Sequence, residues 1–285
     1  MDPFPTREAQ RLLKEWEVDS LPIDPKQIAA RADIPCQPMP SEKGGVSGML
    51  VKTGNDRFGI MYATHIPVEG FHNFSISHEL GHYYLPEHPE NVFKDGLVHE
   101  SSSGFTSDDT YEKQADQFAC GLLMPSYLFD PLLDKAGTGM EAVLELAERC
   151  GTSRAATAIR YAQKNSEPTA IVMSIDSVIE YCFMSDELKE FPGLSWIKKG
   201  SVVPKNTRTL SLTKEQVQSG HRDEGESDLI TWFRSDIDCE IYEEVIGLGA
   251  YGKSLTVLSC GDLPDPEAMD EEHDLEESWT PRFKR

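Results

Sequence analysis

Segment 71–85 of this chain reads FHNFSISHELGHYYL and places two histidines, His78 and His82, four residues apart. Residues at this spacing share one face of an α-helix, so both imidazoles can bind a single ion. Zinc accepts imidazole nitrogen and, in catalytic sites, keeps a fourth position for water. Glu79, beside the first histidine, lies where it can take a proton from that water. The segment therefore predicts a helix that carries a zinc site, with Glu79 as the catalytic base.

A site of this kind needs a third protein ligand, and the sequence offers two. His88 has the spacing of the pattern H-E-x-x-H-x-x-G-x-x-H, but Leu85 stands where that pattern uses glycine to turn the chain. Glu112 lies on the next predicted helix, 110–124, three residues before Ala115, whose small side chain lets two helices approach closely. We favour Glu112, which would complete a His-His-Glu site, and keep His88 as the alternative. The same ligand types also suit Mn²⁺ and Fe²⁺.

The composition is that of a globular protein with a strong acidic excess. The 285 residues include 49 acidic and 27 basic side chains, which gives a formal net charge of −22. Such a surface repels phosphate, so nucleic acid is a poor partner and a basic protein is a better one. The 6 cysteines are scattered without a C-x-x-C pair, and the sequence shows neither a secretory leader nor an apolar run of membrane length. We therefore expect a cytoplasmic protein without a membrane partner.

The residue pattern changes along the chain and predicts an α+β protein. Helical periodicity dominates the first half, with one β-hairpin at 46–63, and apolar runs typical of strands dominate the second half. The C-terminal segment is rich in acidic residues and has no apolar periodicity, which predicts disorder. The predicted segments are a metallopeptidase domain at 1–125, a helical segment at 126–165, a β-rich accessory domain at 166–260 and an acidic disordered tail at 261–285.

Three segments near the predicted metal helix carry further expectations. Residues 143–161 fit the spacing of a helix-turn-helix, with Gly151 in the turn. Segment 141–164 holds four basic residues, Arg160 among them, and three acidic residues. This excess of positive charge is too small for a helix that reads a DNA groove. We therefore expect the segment to pack within the protein or to dock another protein. The strand at 46–51 has two alternative interpretations, a sheet edge along which an extended substrate peptide binds or a simple core strand. A polar loop is expected at 89–108.

Three motifs together give the chain a family resemblance. They are PIDPKQIA at 22–29, FSISHELGH at 74–82 and EKQADQFACGLLMP at 112–125. With these motifs the chain resembles the ImmA/IrrE metallopeptidases from its N-terminal helix to about residue 165. The resemblance implies a thermolysin-like (gluzincin-type) core with zinc on His78, His82 and Glu112 and with Glu79 as the base. It also implies a helix-turn-helix-like segment after the core and, as in some members, a GAF-like C-terminal domain.

The resemblance also implies a function. Members of this family cut or inactivate helix-turn-helix repressors of the XRE/Cro-CI type. We therefore expect a zinc-dependent endopeptidase that cleaves one such repressor and derepresses stress-response or mobile-element genes. The alternative is a metal-containing regulator that sequesters a repressor by binding it. Glu79 separates the two, because hydrolysis requires this residue and sequestration does not.

Overall fold

The structure, a computed structural model, describes residues 2–39, 45–54, 57–102, 107, 109–191, 193–233 and 239–261. The chain divides between Tyr161 and Ala162 into two compact units. Helices and strands occur together in both units, so the expected α+β class is confirmed. The predicted acidic tail lies outside the described residues from position 262 onward. Among the described helices, none has the length and apolar character that crossing a membrane requires.

The first unit contains a four-stranded sheet and a set of helices around it. Its helices are α1 (Phe4–Glu15), α2 (Pro25–Arg31), α3 (Glu69–Tyr84), α4 (His88–Val92), α5 (Thr110–Leu123), α6 (Ser126–Ala136), α7 (Gly139–Cys150) and α8 (Arg154–Lys164), which crosses the boundary between the units. Its strands are β1 (Cys36–Met39), β2 (Gly48–Thr53), β3 (Arg57–Ala63) and β4 (Val98–Ser101). The strand order is β1-β3-β2-β4, with β1 parallel to β3 and the other pairs antiparallel.

The edge of this sheet differs from the sequence-based expectation. Strand β2 pairs with β3 on one side and with β4 on the other, so of the two alternatives for 46–51 the sheet edge is wrong and the core strand is confirmed. On this side of the described sheet the outer strand is β4, which lies with most of α4 in the stretch 89–108 that was expected to be a polar loop. The strand has only four residues, VHES, and one apolar side chain. It is too short to show an alternating pattern, so the sequence does not predict it.

Asp24 and Thr6 are residues of types that favour helix N-caps, and only the first caps a helix. The Asp24 side chain accepts the backbone N–H of Lys26 at 2.9 Å, and Pro25 occupies the first position of α2. Helix α1 begins at Phe4, before Thr6. The Thr6 hydroxyl instead donates to the backbone carbonyl of Gln117 on α5 at 2.9 Å, so this side chain joins two helices.

Helix α3 lies in the core of the first unit, between the sheet and α5. Ile76 and Leu80 are completely buried in one apolar cluster with side chains of the sheet and of α5. Gly81 faces Ala115, and a Cβ on this glycine would lie 3.0 Å from the Ala115 Cα. The two small residues therefore let α3 and α5 approach closely, which brings Glu112, about one turn before Ala115, toward the histidine face of α3.

A buried ion pair fixes the N-terminus to α6 and α8. The Arg160 guanidinium is 1% exposed and binds the Asp2 carboxylate at 3.1 Å and the Ser126 hydroxyl at 3.0 Å. Arg160 is thus engaged inside the protein, and one of the four basic residues counted toward DNA contact is not available for it. Burial alone would raise the pKa of Asp2, but Ser126 and Arg160 outweigh burial and hold that pKa well below its usual range.

Asp2→Asn is expected to lower the free energy of unfolding at pH 7 by about 3 kcal/mol, because it leaves Arg160 buried without a counter-charge. The Asp2 pKa is lower in the folded chain than in the unfolded chain, so the stabilisation is complete above about pH 4 and is lost as pH falls toward the folded pKa. The stability difference between wild type and variant should therefore shrink below pH 4 in urea titrations. Asp95→Asn, at an exposed turn, is the control.

The second unit is a five-stranded antiparallel sheet with short helices. Its strands are β5 (Thr169–Ile175), β6 (Val178–Met184), β7 (Arg222–Asp228), β8 (Glu240–Gly247) and β9 (Lys253–Ser259), in the order β6-β5-β9-β8-β7. Its helices are α9 (Asp186–Glu190), α10 (Arg208–Ser211), α11 (Lys214–Ser219), α12 (Leu229–Phe233) and a 3₁₀ turn at Gly249–Tyr251. One sheet face and α12 enclose an apolar core around Val172, Leu258 and Phe233. The GAF-like assignment and the predicted domain limits remain predictions.

Candidate metal centre

Helices α3 and α5 bring three possible metal ligands together. The Nε2 atoms of His78 and His82 lie 3.1 Å apart. The Glu112 carboxylate lies 3.2 Å from the first of these nitrogens and 3.3 Å from the second. Ligand atoms at 2.0–2.1 Å from a tetrahedral zinc ion are separated from one another by about 3.3 Å. The side chains therefore fit a single ion bound between them.

Asp116 holds His78 in the orientation that a metal ligand needs. Its carboxylate lies 2.8 Å from Nδ1 of His78 and accepts the proton there, so that Nε2 faces Glu112. Asp116 was not among the residues predicted for the site. It lies four residues after Glu112, and the two histidines on α3 have the same spacing. Two carboxylates on one face of the helix opposite the histidines were the signal that could have identified it.

His88, the alternative third ligand, lies on the far side of His82. Its Nδ1 is 3.1 Å from Nδ1 of His82, and its Nε2 is 2.9 Å from the side-chain oxygen of Gln114. An amide oxygen only accepts, so His88 donates from Nε2 and its Nδ1 accepts the Nδ1 proton of His82. This order leaves Nε2 of His82 unprotonated and directed at Glu112. Glu112, and not His88, is thus brought to the shared ligand face.

Gln114→Ala is expected to lower the affinity for zinc by about 10–100-fold, because His88 then no longer fixes the tautomer of His82. His88→Ala should have an effect of the same size, and the double variant should be no worse than either single variant. Competition with a chromogenic chelator measures the affinities, and ¹⁵N chemical shifts report the tautomer of His82. Gln117→Ala, about one turn further along α5, is the matched control. Additive losses in the double variant would contradict the proposed chain of hydrogen bonds.

The charges at the centre are arranged for a cation. Burial lowers the pKa of His82 to about 3. Burial also opposes the charged form of His78, but the carboxylates of Asp116 and Glu112 outweigh it and raise the pKa of His78 to about 10. Burial alone would raise the pKa of Glu112, but the adjacent histidines, protonated His78 first among them, outweigh burial and hold that pKa well below its usual range. Without an ion, a proton on His78 supplies the positive charge, so metal uptake near pH 7 should release a proton.

Glu79 is as completely buried as His82 but has a different environment. It is completely buried, and within the described part of the chain neither oxygen has a hydrogen-bond partner. Burial raises the pKa of Glu79 to about 7, in the range where a carboxylate both takes and returns a proton. A Cβ on Gly48 would lie 2.5 Å from Oε1 of Glu79, so only glycine at this position of β2 leaves room for the carboxylate.

Gly48→Ala is expected to reduce peptidase activity by about 100-fold while zinc binding is retained, because the added methyl group displaces the Glu79 carboxylate and not the ligands. The comparison of turnover with metal content measures this separation. Gly59→Ala on β3 is the matched control, since its Cβ would meet ordinary contacts at 3.8 Å and beyond. An unchanged turnover in Gly48→Ala would show that Glu79 does not need its present position.

Four side chains in this part of the sequence could by residue type stabilise a reacting carbonyl oxygen, namely His72, Tyr83, Tyr84 and His99, and the structure places one of them at the centre. Nε2 of His99, on β4, lies 3.1 Å from Oε1 of Glu112. His72 instead contacts the backbone carbonyl of Ile66 at 2.9 Å. The other two, Tyr83 and Tyr84, pack against the apolar core of the first unit. His99 is therefore the candidate that reaches the site.

The comparison with known families agrees with this geometry. Residues 39–161, which include every side chain of the centre, match the family model described as Peptidase M78, IrrE N-terminal-like domain. The chain therefore contains a domain similar to the IrrE N-terminal-like peptidases over residues 39–161. A search of curated proteins gave no match.

The fold of the chain has a counterpart among solved structures. A Mycobacterium tuberculosis transcriptional regulator superposes with a TM-score of 0.57 over 90% of this chain and 76% of the regulator. The two sequences are 12% identical, so the likeness concerns the fold alone. The superposed part covers 90% of this chain, whereas the matched peptidase domain, residues 39–161, makes up less than half of the 285 residues. The superposition therefore extends beyond that domain.

Proposed function

We propose that this chain is a zinc-dependent endopeptidase of the ImmA/IrrE type that cleaves an XRE/Cro-CI-type repressor and thereby derepresses stress-response or mobile-element genes. The observation that carries the proposal is the spacing of His78, His82 and Glu112, which fits one tetrahedral ion. A transcriptional regulator among proteins of this fold supports a role in gene regulation. Mn²⁺ or Fe²⁺ would find suitable ligands in the same three side chains.

Each residue of the centre has a role in this mechanism. His78, His82 and Glu112 would hold the ion, which when bound supplies the positive charge that polarises a peptide carbonyl and acidifies water. Glu79 accepts a proton from the attacking water and returns it to the amide nitrogen that leaves. Its freedom from protein hydrogen bonds keeps both oxygens available for this transfer. Asp116 orients His78 throughout.

Strand β4 is the proposed binding edge for the substrate peptide. It is one of the two outer strands of the described sheet, and it carries His99 beside Glu112. Its first residue, Val98, is 46% exposed, and the preceding residue, Leu97, is 62% exposed. An extended peptide can pair with such an edge through backbone hydrogen bonds and place apolar side chains on the exposed residues. Proline scanning of 97–101 tests this: if no position weakens repressor binding in correctly folded protein, β4 is not the edge.

The proposed function predicts turnover, which binding alone cannot give. Zinc-loaded protein at about one-hundredth of the repressor concentration should consume all of an XRE-type repressor encoded in the same genome, as followed by intact mass spectrometry. A regulator that sequesters the repressor would leave it intact and would inhibit its DNA binding only in stoichiometric amounts. A set of such repressors that are neither cut nor bound would overturn the substrate assignment, although casein cleavage would still show a peptidase.

A further inference from the structure

Two cysteines of the second unit lie in contact outside the metal centre. The Sγ atoms of Cys239 and Cys260 are 3.2 Å apart. Both residues are buried, at 7% and 3% exposure, and both belong to the apolar core of the unit. A disulfide bond is about 2.05 Å long, so the sulfurs need to approach by about 1.1 Å to form one. Such a shift is within the reach of side-chain rotation at the end of a strand.

The strand pairing puts the two cysteines at the same end of the sheet. Tyr242 on β8 pairs with Ser259 on β9, the last pair of their ladder, and Cys260 is the next residue along the chain. Cys239 directly precedes Glu240, the first residue of β8. Both cysteines therefore lie just past the same end of the β8–β9 ladder, and both side chains belong to the same apolar core.

The backbone holds both cysteines in place at the end of the β8–β9 ladder. The Cys260 N–H donates to the Pro168 carbonyl at 3.0 Å. The Cys239 carbonyl accepts the N–H of Leu229, the first residue of α12, at 2.9 Å. Both cysteines flank the strands and lie outside the ladder itself, where local opening costs less than in the middle of a sheet. A small oxidant can therefore reach thiols that are buried on average.

We propose that Cys239 and Cys260 form a dithiol that a hydroperoxide oxidises to a disulfide. One sulfur, as the thiolate, attacks a peroxide oxygen; the O–O bond breaks, the alcohol leaves with one proton, and a sulfenic acid forms. The second sulfur attacks the sulfenic sulfur; the S–S bond forms, the S–O bond breaks, and water leaves with the second thiol proton. Two thiols lose two electrons, and the hydroperoxide is reduced to alcohol and water.

The other four cysteines provide internal controls. Burial raises the pKa of Cys120, Cys150 and Cys182 to about 12 and the pKa of Cys36 to about 11, so their thiolates are scarce near neutral pH. Peroxide should therefore leave these four thiols free for alkylation after denaturation. The disulfide would close a loop from residue 239 to residue 260, across the β8–β9 hairpin, and stabilise the second unit by restricting its unfolded chain.

The test is a non-reducing peptide map of the full chain after treatment with hydrogen peroxide and alkylation in denaturant. We expect one linked peptide pair, Cys239 with Cys260, about 2 Da lighter than the sum of the reduced peptides. The thermal midpoint should rise by roughly 5–10 °C and return with dithiothreitol. Cys260→Ser should abolish the link and leave Cys239 as a sulfenic acid that dimedone traps, whereas Cys182→Ser in the same unit should retain the link.

Two outcomes would overturn the proposal. One is a wild-type chain in which the link is absent at a peroxide dose that oxidises its methionines. The other is a link that forms only after the chain is unfolded in denaturant, because the folded geometry would then have no part in it. Both readouts use the wild-type protein, so neither depends on the folding of a variant.

Discussion

Glu79→Gln is expected to lower the rate of repressor cleavage by about 1,000-fold or more, with zinc and repressor binding unchanged. Glutamine has nearly the same shape as glutamate, so it fits beside Gly48, but it cannot accept the proton of the attacking water. The effect is large because Glu79 is completely buried beside the ligands and its raised pKa suits proton transfer, which a glutamine amide cannot perform.

The control for this prediction is Glu90→Gln, an exposed glutamate on α4. Single-turnover kinetics on the repressor measure the rate, and metal analysis of the same samples excludes loss of the ion. The rate should rise with pH as Glu79 ionises, because only the carboxylate form accepts a proton; its pKa is about 7 without the ion, and a bound cation lowers it. A Glu79→Gln variant that cleaves at the wild-type rate would remove Glu79 from the mechanism.

Glu112→Ala is expected to lower the affinity for zinc by well over 100-fold and to abolish cleavage at micromolar zinc. The variant removes one of the three protein ligands of the ion. Loss of a hydrogen bond that only supports a ligand lowers metal affinity by about 10–100-fold, and loss of the ligand itself should lower it further. The variant also leaves His78 and His82 without the carboxylate that lies 3.2 and 3.3 Å from them. Isothermal titration of the metal-free protein with zinc measures the affinity.

The same titration separates the two candidate third ligands. His88→Ala should retain one zinc per chain with a moderately weakened affinity, because His88 acts through His82. A His88→Ala variant that loses zinc altogether, beside a Glu112→Ala variant that keeps it, would reverse the assignment. Affinity for zinc should fall in wild type as pH falls, because protonation of His78, with a raised pKa, competes with the ion.

The parts of the centre that the sequence predicts are those determined by local spacing. His78 and His82 share a helix face because they are four residues apart, and Ala115 signalled that a second helix could lie close enough for Glu112 to reach them. The structure has these helices in contact through Gly81 and Ala115. The residues that support the ligands were not predicted from local spacing, because His88 and Gln114 meet only after α4 and α5 have packed.

The sheets show the same division between local and long-range information. The strands β5, β6, β8 and β9 carry apolar runs and were expected from the sequence. Strand β7, with the sequence RDEGESD, has no apolar alternation and exists because β8 offers it backbone hydrogen bonds. Strand β4 is equally inconspicuous, yet it carries His99 to the centre. Pairing partners far away in the sequence determine such strands, and a local pattern does not reveal them.

The most direct test of the central claim is repressor cleavage by the zinc-loaded chain in water enriched in ¹⁸O, read by intact mass spectrometry. The proposed mechanism predicts two fragments whose masses sum to the repressor plus one water, with the new carboxyl terminus about 2 Da heavier from a single labelled oxygen. The products should be absent with Glu79→Gln. A repressor that stays intact while both proteins bind it equally well would contradict the account and favour sequestration.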